Sequence, residues 1–103
     1  MGALTASIKK RNPAMYMKVV DITGSASYAT NGDTYTHALL EVLGQVDAIV
    51  DCGTSGYVLV PDIANKKIKY FKGAAGLLVE ETAATNLSAV VSRVIVFADN
   101  PYV

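Results

Sequence analysis

The sequence predicts a small all-β domain: a β-sandwich, jelly-roll-like or β-barrel-like unit with one short helical segment and an extended amino-terminal arm. Three observations carry this. The last long apolar run, residues 89–98, is rich in β-branched and aromatic residues, which suits a packed, pleated strand. Short alternating runs recur between turn signals such as Asn31-Gly32-Asp33, Gly53-Thr54-Ser55-Gly56 and Gly73-Ala74-Ala75-Gly76. Only one stretch has apolar residues at helical spacing.

At 103 residues, the chain has room for one domain. Residues 1–13 read as an arm and 14–103 as the domain. In the arm, Lys9, Lys10 and Arg11 precede Asn12-Pro13, and proline biases its predecessor toward extended backbone. The arm has no apolar core of the signal-peptide kind, so synthesis in the cytoplasm of the producing cell is expected.

Residues 14–23 form the first predicted strand, with Tyr16, Lys18, Val20 and Ile22 on one face and Met15, Met17, Val19 and Asp21 on the other. Residues 27–30 read as a short strand. The turn at Asn31-Gly32-Asp33 follows, because Asn and Gly tolerate positive φ. Residues 36–44 are the helix candidate, with Thr36 as cap, Leu39, Leu40 and Leu43 as the apolar stripe and Gly44 as terminator. His37 at its start has no second histidine to complete a metal site.

Residues 46–52 give the next strand, where Val46, Ala48, Val50 and Cys52 alternate with Asp47, Ile49 and Asp51. The first set is the expected core face, so Cys52 reads as a small buried hydrophobe. Asp47 and Asp51, about 13 Å apart on a strand, are too distant for a catalytic carboxylate pair; solvent or neighbouring lysines are their expected partners. The serine of Gly53-Thr54-Ser55-Gly56 lacks the spacing of a nucleophile elbow. Strands follow at 57–60 and 66–72, joined by a loop at 61–65. In the second, Lys67, Lys69 and Phe71 share one face and Ile68 and Tyr70 the other. A lysine row invites an anion-binding reading, but it also discourages edge pairing on an outer strand. Residues 77–80 form another short strand.

The last strand places Ser92, Val94, Val96 and Ala98 on one face and Arg93, Ile95 and Phe97 on the other. Both faces are mostly apolar, so both are expected to be covered, and in a short chain the second cover falls to another subunit. Arg93, Ile95 and Phe97 are therefore the expected oligomer interface. Val46, Val50, Val58, Ile68, Tyr70, Val94 and Val96 are the expected core.

Composition narrows the function. The chain is 51% hydrophobic and only 17% charged, with nine acidic and nine basic residues. Zero net charge gives none of the positive field of a nucleic-acid binder and little protection against self-association. The lone cysteine excludes an internal disulfide. The apolar runs are shorter than the roughly 20 residues of a membrane span. Neither a catalytic triad nor a metal-ligand set is visible, and no enzyme activity or cofactor is expected.

Over most of its length the chain resembles the small decoration, cement or head-stabilising proteins of tailed bacteriophage capsids. The residues that carry this are the opening Leu4-Thr5-Ala6-Ser7-Ile8-Lys9-Lys10-Arg11 and the strand Met17-Lys18-Val19-Val20. To these add the hairpin from Gly56-Tyr57-Val58-Leu59 to Asn65-Lys66-Lys67-Ile68-Lys69, and Thr85-Asn86-Leu87-Ser88-Ala89 leading into Arg93-Val94-Ile95-Val96-Phe97. The resemblance implies a β-protein that binds the outer capsid surface, bridges neighbouring major capsid subunits and forms a homo-oligomer, a trimer before a dimer. On this reading Leu4, Ile8, Lys9, Lys10 and Arg11 are expected to meet the capsid. No added carbohydrate-binding module is present to imply adhesion. The other readings are a tail or connector component and a small ligand-binding β-barrel; a hydrolase using Asp or Ser is the weakest.

Overall fold

The computed structural model describes Ala3, Thr5, Ala6 and residues 15–99. The arm residues Leu4, Ile8, Lys9, Lys10 and Arg11 lie outside the described residues, as does the end of the chain beyond Asp99.

Two antiparallel sheets pack face to face. The first is ordered β1 (Met15–Thr23), β7 (Val91–Asp99), β3 (Val46–Asp51). The second has β5 (Lys67–Ala74) at its centre, with β4 (Val58–Asp62) on one side. Both β2 (Asp33–Thr34) and β6 (Leu77–Glu80) also pair with β5, at different parts of its length. The all-β fold class is as the sequence predicts, and β7 is the central strand of its sheet.

The core lies between the sheets. Val94, Val96 and Ala98 of β7, Ile49 of β3 and Ile22 of β1 face Leu59 of β4 and Ile68 and Tyr70 of β5. Helix α1 (His37–Leu40) contributes Leu40, which is fully buried. Of the expected core, Val46, Ile68, Tyr70, Val94 and Val96 are buried, but Val50 and Val58 are exposed.

Both exceptions have a physical cause. The register of β3 against β7 shifts between Val46 and Ala48. That bulge inserts one residue and inverts the alternation beyond it. Ile49 therefore turns inward, while Val50 turns outward and the following Cys52 is exposed, not buried. In β4, Leu59 is the residue opposite Tyr70, so Leu59 takes the core position and Val58 pairs with Phe71 on the outer face.

Other expectations are corrected locally. The helix is a single turn: Thr36 caps it by accepting from the Leu39 N–H, and Glu41, in left-handed backbone, ends it before Gly44. Leu39 and Leu43 are accordingly exposed. Gly44 serves instead as a contact point, since a Cβ there would lie 2.5 Å from the Asp99 carbonyl oxygen. Residues 27–30 are not a strand. They belong to a loop whose backbone bonds to the 82–90 loop, through Tyr28 N–H to Thr85 O and Leu87 N–H to Ser25 O. The lysines of β5 lie on a central strand, not an edge, with Asp62 directly across from Lys67.

Candidate functional site

The side chains with chemical potential are mostly spent on holding loops. Asp51 accepts from Gly53 N–H at 2.9 Å and from Leu59 N–H at 3.0 Å, so it ties β3 to β4 and does not pair with a lysine. Asp33 accepts from Ser25 Oγ and Ala29 N–H. Glu80 accepts from Tyr28 Oη at 2.7 Å and Asn31 N–H at 2.8 Å. Glu81, buried, accepts from Lys72 Nζ at 2.9 Å, Tyr57 Oη at 2.7 Å and Thr82 N–H at 2.8 Å.

These contacts set the titration of the groups. The Lys72 ammonium and the Tyr57 hydroxyl hold the Glu81 carboxyl down at about 2. Burial, then the bond to Glu80, pushes the Tyr28 hydroxyl up to about 12. A carboxylate so stabilised is a poor general base at neutral pH. Tyr28, Tyr70 and Tyr57 form an edge-to-face aromatic chain, with centroids 5.9 and 5.8 Å apart. The sequence places Glu81 in a polar loop and does not reveal its partners, because Tyr57 comes from the turn before β4 and Lys72 from β5.

Two clefts remain. One of about 210 Å³ is lined by Ile22, Tyr35, Leu39, Ile68 and Tyr70, among others; the hydroxyls of Tyr35 and Tyr70 are buried without a hydrogen-bond partner. The other, of about 390 Å³, brings His37 near Gln45, Ile63 and Lys66. Among the described residues, no group of three or more His, Cys, Asp or Glu side chains is arranged to hold a metal ion, and no helix is long and apolar enough to cross a membrane.

The outer face of the β1–β7–β3 sheet is different in kind. It carries the expected interface residues Arg93, Ile95 and Phe97, and adds residues from both flanking strands. Met17, Phe97 and Ala48 line up across the sheet, as do Val19, Ile95 and Val50. Met17, Val19, Val50 and Val91 are exposed, with Met17 at 59% and Val19 at 60%. One ion pair borders this surface: Arg93 Nε donates to Asp21 Oδ1 at 2.9 Å and Nη2 to Oδ2 at 3.2 Å. The guanidinium holds the Asp21 carboxyl below its ordinary value. Both partners are exposed, so the pair contributes little to stability. The sequence showed the β7 residues of this face; the contributions of Met17, Val19 and Val50 required the strand order and the β3 bulge.

No protein-family model, curated protein or solved structure matches this chain.

Proposed function

We propose that this chain is a structural virion protein that decorates and stabilises the outer surface of a bacteriophage capsid. The observation that carries the reading is the largely apolar face built from Met17, Val19, Val50, Ile95 and Phe97, whose charges Arg93 and Asp21 are paired with each other, on a sheet whose other face already fills the core. Apolar surface of this kind marks an interaction site. Five side chains are well short of the roughly 20–30 residues that each partner brings to a stable interface. Copies of the chain therefore combine their faces into one composite surface, which the major capsid protein covers. In that surface Arg93, Ile95 and Phe97 are shared between self-association and shell binding. The arm residues Leu4, Ile8, Lys9, Lys10 and Arg11 add weak contacts whose value grows with the number of copies.

The ligand-binding alternative would rest on the clefts: the one beside Tyr35 and Tyr70, about 210 Å³, is below the ~300–1,000 Å³ of ordinary ligand pockets, and the one beside His37 and Lys66, about 390 Å³, is at the lower end of that range. The test is co-sedimentation with tail-free shells assembled from the major capsid protein of the same genome. The wild-type chain pellets with the shells, and Ile95→Asp or Phe97→Asp stays in the supernatant while remaining folded. A wild-type chain that binds purified tails and not shells would make it a tail or connector component instead.

A further inference from the structure

The sheets end in strands that differ sharply in how their outer edges are protected. An unpaired edge is a template for another chain, and proteins blunt it with short strands, bulges, prolines or charges. The β3 edge is bulged and carries Asp47. The β4 edge contains Pro61 followed by Asp62. Strands β2 and β6 are two and four residues long. By contrast, β1 runs for nine residues without proline, in unbroken register with β7 from Met15 to Thr23.

Its two charges do not guard the edge either. The Lys18 ammonium is drawn onto its own chain, donating to the Glu41 carbonyl at 2.6 Å. Asp21 is held by Arg93 of β7. Among the described residues, no backbone group outside β7 pairs with β1.

We propose that the edge of β1 pairs antiparallel with β1 of a second copy, about a two-fold axis at Val19. The inference rests on the self-association part of the reading above and is independent of the shell. Val19 is the midpoint of Met15–Thr23, so a two-fold there overlaps the whole strand. Lys18 then faces Val20 of the second copy and Asp21 faces its Met17, so no like charges are directly opposed, an arrangement that would destabilise the pair. The apolar face also becomes continuous. Val50, Ile95 and Val19 of one copy run into Val19, Ile95 and Val50 of the other, doubling a patch that is too small alone. The pairing closes at two copies, because an isologous contact uses the same strand on both sides. This replaces the trimer expected from the resemblance with a dimer.

The experiment is solution mass together with amide hydrogen exchange of the wild-type chain, without shells. In an isolated edge strand, alternate amides bond to β7 and the others face solvent. Pairing predicts twice the chain mass of 10.9 kDa and slow exchange at both alternating sets of β1 amides. It also predicts that Val19→Cys, in a Cys52→Ser background, forms an intermolecular disulfide under mild oxidation. Directly opposed residues have Cα atoms about 4.5–5.5 Å apart, within disulfide range. Met17→Cys, which meets Asp21 and not itself, stays largely uncrosslinked. A monomeric mass overturns the proposal, whether β1 exchanges quickly or is protected by another part of its own chain. A dimer in which every second β1 amide exchanges quickly also overturns it, because the contact then lies elsewhere.

Discussion

The two faces of the β1–β7–β3 sheet are built from the same kinds of side chain and have opposite surroundings. Val94, Val96 and Ala98 have no accessible surface, whereas Val19, on the adjacent strand opposite Ile95, is 60% exposed. Hydrophobicity says that a side chain should be covered, not by what. The inner face is covered by β4, β5 and α1, and it supplies the stability of the fold. The outer face contributes little to the isolated chain, so it can be changed without unfolding the protein.

The comparison breaks most visibly under a charge. Val96→Asp places a carboxylate in a closed core and costs several kcal/mol, a large share of the ~5–15 kcal/mol that holds a domain together. The expected outcome is an unfolded chain by circular dichroism. Ile95→Asp, one residue away on the other face, changes stability by about 1 kcal/mol in urea titration.

Glycines sharpen the same contrast. A Cβ at Gly24 would lie 2.5 Å from Leu87 Cβ and from the Leu87 carbonyl oxygen. Gly24→Ala should therefore cost about 1–3 kcal/mol by overpacking. Gly73, on the exposed end of the β5–β6 hairpin, has open space where a Cβ would go, and Gly73→Ala should leave the urea midpoint within about 0.5 kcal/mol of wild type.

Acid acts on the loop staples. Glu81 is held below its ordinary carboxyl range, at about 2, so the folded state favours its ionised form. Its contribution is complete above the unfolded value of about 4.5 and is lost as pH falls toward about 2. Melting temperature should decline across that window, and Glu81→Gln should be less stable at neutral pH with a shallower decline below pH 4.5. The smallest effect is at Ser92, whose buried hydroxyl has no hydrogen-bond partner. Ser92→Ala should be neutral or slightly stabilising in the same melts, since removing an unsatisfied group costs nothing in lost bonds.

Much of the fold was legible because alternation is local. The inward set of β7, the Ile68 and Tyr70 face of β5 and the limits of β6 follow directly from side-chain period. What was not legible depends on other strands. The bulge between Val46 and Ala48 is set against β7, and nothing within residues 46–52 announces that Ile49 and not Val50 goes inside. Leu59 wins the core place over Val58 because Tyr70 lies opposite it. The outer face was half-visible, since Ile95 and Phe97 could be read from β7 alone, whereas Met17 and Val19 join them only once β1 is known to lie alongside.

Hydroxyl-radical footprinting of the chain, free and bound to assembled shells, tests the account most directly. Met17 and Phe97 are oxidisable side chains on the outer face, and Leu77, at the tip of the β5–β6 hairpin, serves as an exposed reference. The account predicts that oxidation of Met17 and Phe97 falls several-fold on binding while Leu77 is little changed. Bound chain with Met17 and Phe97 oxidised as readily as in solution would contradict it.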